Sequence, residues 1–351
     1  MRPADGNADR DIESGAPLPA GAEWVQETDD PLRFEDALKP LYRPAAIRGL
    51  AAQWPIVRAG RKGVAELARY LGSLDSGSPT TVYMAPPAMR GRYFYAPDMR
   101  GFNFTSRKMP LSELLDLLLA ERDRSDPQGL YAGSTPVADS LPAFSIENQM
   151  PLDVGGGEAR IWIGNASRIA THYDMAANLA VVVAGRRRFT LFPPDQIANL
   201  YVGPVDRTVA GQPTSMVDPL APDLARYPRF AEAQRHALVA DLAPGDALYI
   251  PPMWWHHVQA TAPLNVLVNY WHGQPPARSP FAALMHAVHS IRELPEQERD
   301  AWRSWFDHYV FGSGAGEAVD HLPEHARGAL GPAAPQRDKM IRDYVVGLLR
   351  S

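Results

Sequence analysis

Apolar residues change their spacing along this chain, and the changes divide it into parts. In the first 127 residues, short helical and extended patterns alternate. The clearest is a helix predicted over 110–120, where Leu111, Leu114, Leu115, Leu118 and Leu119 make one stripe and Ser112 and Glu113 sit in the first turn. Such a stripe is read as core packing. Further helices are expected over 34–38 and 63–71, with extended segments over 45–48, 80–84 and 93–95.

From 129 to 271 the pattern shifts to short apolar runs broken by Gly and Pro. Strands are predicted over 128–133, 160–164, 169–174, 179–183, 187–192, 247–250, 257–261 and 266–271. So many short strands with tight turns point to a mainly β fold with flanking helices, a double-sheet jelly roll (a double-stranded β-helix). Residues 193–242 interrupt the pattern. Rich in Pro, Asp and Gly, they read as a long excursion with one short helix, of the kind that serves as a lid or binding loop. Beyond 271, helices are predicted over 280–293, 296–310 and 335–349. Phe281, Leu284, Met285 and Val288 line one face, and Trp302, Trp305, Phe306 and Tyr309 another. These faces pack onto the barrel or form a dimer interface, and three trailing amphipathic helices favour the dimer. The expected organisation is a flexible N-terminus over 1–22, a catalytic domain over 23–275 and a C-terminal helical region over 276–351.

Composition narrows the function classes. Hydrophobic residues make up 45% and charged residues 21%, as in ordinary soluble domains, and the net charge of -5 offers no basic footprint for nucleic acid or anionic membrane. There are no cysteines, which excludes disulfides and thiolate metal sites. Any metal must use His, Asp or Glu, and a reducing cytoplasm is the natural setting. No stretch approaches the roughly 18 apolar residues of a membrane span, and the N-terminus lacks the apolar run of a signal peptide.

The candidate chemistry lies in His172-Tyr173-Asp174 and in His256, which sits in the run Trp254-Trp255-His256-His257. On an extended strand, residues i and i+2 share a face, so His172 and Asp174 can grip one metal while Tyr173 points away. Two imidazoles and a carboxylate hold iron(II) on one face and leave positions open for a co-substrate and oxygen. By the same parity His257 points away from His256, into packing or a hydrogen bond.

With these residues stand Gly164-Asn165, Phe192-Pro193-Pro194-Asp195-Gln196, Pro244-Gly245-Asp246, Tyr249-Ile250-Pro251 and Val268-Asn269-Tyr270-Trp271. In this order the motifs resemble the JmjC/cupin-type iron(II) and 2-oxoglutarate dioxygenases, most nearly the branch of asparaginyl hydroxylase that acts on hypoxia-inducible factor. The likeness covers about residues 30–350. It implies that His172, Asp174 and His256 bind iron, that Asn178 and Asn269 lie near the metal-proximal end of 2-oxoglutarate, and that Tyr131 bonds its distal carboxylate. Trp271 is implied beside the site, as a substrate-binding residue. Arg187, two residues after the turn glycine Gly185, stands where the family has a lysine, and its fork suits a carboxylate; Arg186 is expected in solvent. Ile169 stands where the family has a threonine whose hydroxyl meets the co-substrate; Ser167 and Thr171 are the candidate substitutes, with Thr171 favoured. Tyr93 and Tyr95 fall where the resembling enzymes contact their peptide, with core packing as the alternative.

The resemblance implies an oxygenase that uses Fe(II), 2-oxoglutarate and O2 to hydroxylate a protein or peptide side chain, releasing succinate and CO2. A small-molecule hydroxylase of the same mechanism, or a metal-binding cupin that is not an oxygenase, are the alternatives. The expected partners are the substrate and a second copy of the chain joined through the C-terminal helices, with no nucleic acid and no membrane.

Overall fold

The structure, a computed structural model, describes residues 19–209, 211–273 and 280–350. The flexible segment expected over 1–22 lies outside the described residues except for 19–22. The chain divides into two compact units, Met1–Gln274 and Pro275–Ser351.

Eight strands of the first unit make the jelly roll, four in each of two sheets. One sheet runs Leu238–Leu242, Arg187–Phe192, Trp255–Ala260, Ser167–His172; the other runs Ala247–Ile250, Ala177–Ala184, Asn265–His272, Ala159–Gly164. All these neighbours pair antiparallel. Outer strands extend both sheets. Arg92–Tyr93 lies beside Ser167–His172, and Gly129–Pro136 lies beside Ala159–Gly164.

Strand Ala177–Ala184 is buried at every position because both its faces are covered. Leu179, Val181 and Val183 join the apolar layer shared with helices Pro55–Lys62, Val64–Leu74 and Leu111–Glu121. Ala180 and Val182 face the other way, into the barrel with Phe189, Leu191, Val258 and Leu267. The leucine stripe is core, as its spacing predicts: Leu111, Leu114, Leu115 and Leu118 are buried. Asp75 caps that helix from outside it, accepting from the Ser112 N–H at 2.8 Å.

Three elements depart from the spacing. Leu238–Leu242 is a barrel strand, although the sequence assigns it to the excursion. Its own alternation is masked by the polar stretch before it, and it becomes a strand because it closes one sheet against Arg187–Phe192. The strand carrying His256 begins at Trp255, two residues earlier than expected. Strand Ser167–His172 ends at His172, so Asp174 lies just past it. The excursion folds into a small core of its own, in which Leu200, Val217, Phe230 and Ala233 pack on Tyr173, Phe192 and Trp255.

Gly185 makes the turn that delivers Arg187. It has φ +75°, and a Cβ there would meet Asn265 Oδ1 at 2.1 Å. A side chain would therefore add left-handed strain, about 1–2 kcal/mol, to a steric clash. Gly185→Ala should lower unfolding stability by at least about 2 kcal/mol, read as a reduced midpoint in urea denaturation at unchanged slope.

In the second unit, helices Pro280–Ser290, Glu296–Phe306 and Pro335–Arg350 lie close to the bounds that their apolar spacing predicts. Leu284, Trp302, Trp305, Phe311, Tyr344 and Leu349 are exposed on it. Among the described residues no helix is long and apolar enough to cross a membrane.

Candidate metal centre

The two histidines come from adjacent strands. His172 and His256 are direct cross-strand partners, and their ring centroids are 4.4 Å apart. The pairing shifts register just beyond them, where Ala170 and Thr171 together oppose His257. This β-bulge puts Ile169 and His172 on the same, cavity-facing side although they are three residues apart. Each ring is oriented by its own backbone: His172 Nδ1 donates to Ala170 O at 2.8 Å, and His256 Nδ1 to Trp254 O at 3.0 Å. Both therefore leave Nε2 free as a ligand atom. Burial, with His172 close by, pushes the His256 imidazole down from its ordinary value, which keeps it in the neutral form that binds metal.

Asp174 completes the set. One ligand atom from each of His172, Asp174 and His256 lies within 4.8 Å of the others, and Asp174 Oδ2 is 3.7 Å from His256 Nε2. The Met253 N–H fixes the Asp174 backbone by donating to its carbonyl at 2.8 Å. Two nitrogens and one carboxylate in this arrangement suit a divalent first-row metal with open positions for exogenous ligands. The donor set fits iron(II) chemically.

A cavity of about 330 Å³ opens from the triad. Its walls include Tyr131, Arg187, Asn178, Asn269, Trp271 and Tyr93, which the sequence singled out. Asn178 donates to Asp174 Oδ2 at 3.1 Å, and Asn269 to Asn178 Oδ1 at 3.2 Å. Arg187 is 4% exposed and has no carboxylate partner among the described residues. Burial pulls its guanidinium down from the usual arginine range, while the neighbouring Tyr131 hydroxyl works the other way. An uncompensated buried cation is costly, so its place in a cavity wall calls for an anion. The rest of the arginine run divides: Arg186 is exposed, and Arg188 pairs with Asp241 through two contacts of 2.7 Å.

Two expected residues lie elsewhere. Thr171 is fully buried but is not part of the cavity wall; its carbonyl accepts from Ser215 of the excursion at 2.8 Å. The Tyr95 hydroxyl donates to Arg207 O at 2.7 Å, and Tyr95 is likewise absent from the wall. Tyr93 is in the wall but buried, beside Ile169 in register and 5.5 Å from Tyr131 between ring centroids. His257 faces a separate small pocket with Arg92, Arg168 and Asp218. The sequence reading omitted Trp162, Phe189, Tyr83 and Phe104, all of which line the cavity. Phe189 shares strand parity with Arg187, and that was the signal available for it; Tyr83 and Phe104 come from outside the barrel and carry none.

A two-histidine, one-aspartate centre inside a jelly roll fits the cupin-like class, and the chain belongs to it: the model described as "Cupin-like domain" matches residues 31–278. The match agrees with the JmjC/cupin resemblance of the motifs. The chain is similar to the human bifunctional peptidase and (3S)-lysyl hydroxylase JMJD7, 28% identical over 283 residues, covering 73% of this chain and 85% of that protein. It is similar to mouse tRNA wybutosine-synthesizing protein 5, 33% identical over 309 residues, covering 76% of this chain and 88% of that protein. Likeness to human HSPB1-associated protein 1 is higher but local, 37% over 118 residues, and covers 33% of this chain and 24% of that protein.

Proposed function

We propose that the chain is an iron(II)- and 2-oxoglutarate-dependent oxygenase that hydroxylates a protein or peptide side chain. One observation carries the reading: a single cavity is lined both by the His172, Asp174, His256 triad and by Arg187, a buried cation with no carboxylate partner among the described residues. Leu191 is the cross-strand partner of His256, and Arg187 lies four residues before it, about 13 Å of strand. A short dicarboxylate that chelates the metal at one end and meets the reaching guanidinium at the other fits this span.

When bound, iron(II), 2-oxoglutarate and oxygen together supply the oxidising chemistry, with succinate and CO2 as co-products. The chain holds and orients these groups. His172, Asp174 and His256 hold the metal, and Arg187 with Tyr131 takes the distal carboxylate. Asn178 and Asn269 border the metal-proximal end. Ala180, Phe189, Val258 and Leu267 form dry walls that exclude water and strengthen the charge contacts inside. A side-chain substrate is supported by the lysyl hydroxylase activity in the JMJD7 name. The tRNA-directed name of the other long match is not accompanied here by a positively charged chain, since net charge is -5. The cysteine-free composition suits the cytoplasm as the working compartment.

The test is succinate release from 2-oxoglutarate by anaerobically purified, iron-loaded protein, with a peptide library screened for a gain of one oxygen. No succinate with any peptide or metabolite pool would sink the oxygenase reading; oxidised metabolites without oxidised peptides would move it to small molecules.

The exposed aromatic residues of the C-terminal helices support a homodimer through that unit. Trp302 and Trp305, 45% and 59% exposed and 6.1 Å apart between rings, are large apolar surfaces for solvent to carry. Light scattering should give twice the chain mass, and Trp305→Asp should shift it to the single-chain mass. A wild-type monomer at micromolar concentration would refute the dimer.

A further inference from the structure

We propose that Trp271 is a positioning residue for the metal, which fixes the rotation of the Asp174 carboxylate. The inference rests on Asp174 being a metal ligand, as in the function proposed above.

Asp174 lies beyond the end of its strand, so no sheet pairing restrains its side chain. Two N–H donors do. Trp271 Nε1 donates to Asp174 Oδ2 at 3.0 Å, and Asn178 Nδ2 donates to the same oxygen at 3.1 Å. The donors are not independent placements: Asn178 and Trp271 are direct cross-strand partners in the sheet facing the histidines. One rung of that sheet thus presents both N–H groups to one oxygen.

The direction of every bond in the set follows from its far end. An indole N–H can only donate. Trp162 Nε1 donates to Asn269 Oδ1 at 2.7 Å, so the Asn269 amide nitrogen is the atom that turns to Asn178, donating to its Oδ1 at 3.2 Å. The Asn178 nitrogen is then the atom left for Asp174. The Trp271 ring is itself held, meeting Trp162 edge to face with centroids 6.0 Å apart and carrying the Arg160 guanidinium 5.6 Å from its own centroid. Arg160 is fixed in turn by donating to Ser134 O at 3.0 Å. A donor on a ring held this way is pre-oriented, and two charge-assisted bonds on one oxygen fix the carboxylate plane before metal arrives.

The experiment is a titration of the metal-free 351-residue chain with Mn(II), with free Mn(II) read by electron paramagnetic resonance, together with the visible absorption spectrum of the Co(II) form. Neither readout involves turnover. Trp271→Phe keeps an aromatic ring, though a smaller one, and removes the N–H donor. It should weaken Mn(II) binding by about tenfold or more, the range for a lost outer-sphere partner, and alter the Co(II) spectrum, with the thermal transition still cooperative. Asn178→Ala, which removes the other donor, should act in the same direction and covers the case in which Trp271→Phe does not fold. Unchanged Mn(II) affinity and an unchanged Co(II) spectrum in the folded variants would overturn the assignment. Failure of the wild-type chain to bind Mn(II) would overturn it together with the proposed function, whereas wild-type binding with indifferent variants overturns this inference alone.

Discussion

Asp174→Ala is expected to yield a folded protein that no longer retains iron and releases no measurable succinate. The loss should be at least about a thousandfold, beyond the 10–100-fold typical of a missing outer-sphere partner, because a ligand itself is removed and its only anionic charge with it. The two histidines alone offer neutral donors, and His172 and His256 would be left to bind a dication without a counter-charge. The donors around Asp174 add to the effect: the Asn178 and Trp271 N–H groups that converge on Oδ2 would be left facing the cavity. Metal analysis of protein purified without oxygen, beside a succinate assay, checks both halves. Full iron occupancy in the variant would show that the carboxylate is not a ligand.

Arg187→Met should change co-substrate affinity and stability in opposite directions. Arg187 is buried and has no carboxylate partner among the described residues, and the distal carboxylate of 2-oxoglutarate is its proposed counter-ion. Removing one partner of a buried, hydrogen-bonded charge pair costs about 2–5 kcal/mol, so the dissociation constant for 2-oxoglutarate should rise by about a hundredfold. The ligand-free protein should gain stability at the same time, because methionine fills similar volume without an uncompensated charge. Calorimetric titration of the Zn(II)-loaded protein measures the first effect, and thermal unfolding of the ligand-free protein the second. Weakened binding of pyruvate, which has no distal carboxylate, to the same extent as 2-oxoglutarate would show that Arg187 acts elsewhere in the site.

The sequence was most legible where one local period decided the outcome. The leucine stripe at Leu111–Glu121 became core because helical spacing and burial require the same face. His172, Asp174 and His256 were legible because metal chemistry restricts residue type; the parity expected to join Asp174 to His172 did not apply, since the strand ends at His172. The family resemblance chose His256 of the adjacent pair, and parity then turned His257 away, toward the Arg92, Arg168 and Asp218 pocket. Parity failed for the strand Leu238–Leu242, whose pairing partners are distant in sequence and whose neighbours are polar. It could not place Tyr95 either. That ring sits at a bridge with Phe102 and bonds the excursion at Arg207, an arrangement set by tertiary contacts that no periodicity encodes. The role of Trp162 was hidden for a similar reason, since its significance lies in which end of a hydrogen-bond series can only donate.

The doubling of Ala170 and Thr171 against His257 has a bearing on how this chain can vary. A strand whose side chains simply alternate keeps its faces under any even insertion or deletion and exchanges them under any odd one. Here one surplus residue sits between the segment that pairs through Ile169 and the ligand at its end, so the orientation of His172 is recorded in a residue count as well as in residue identity. Restoring a regular ladder by losing one residue would improve the pairing of the sheet while turning the imidazole, or everything before it, to the opposite face. Substitutions that keep this count leave the frame of the centre intact. Length changes there are the more damaging class, even where every ligand is still spelled in the chain.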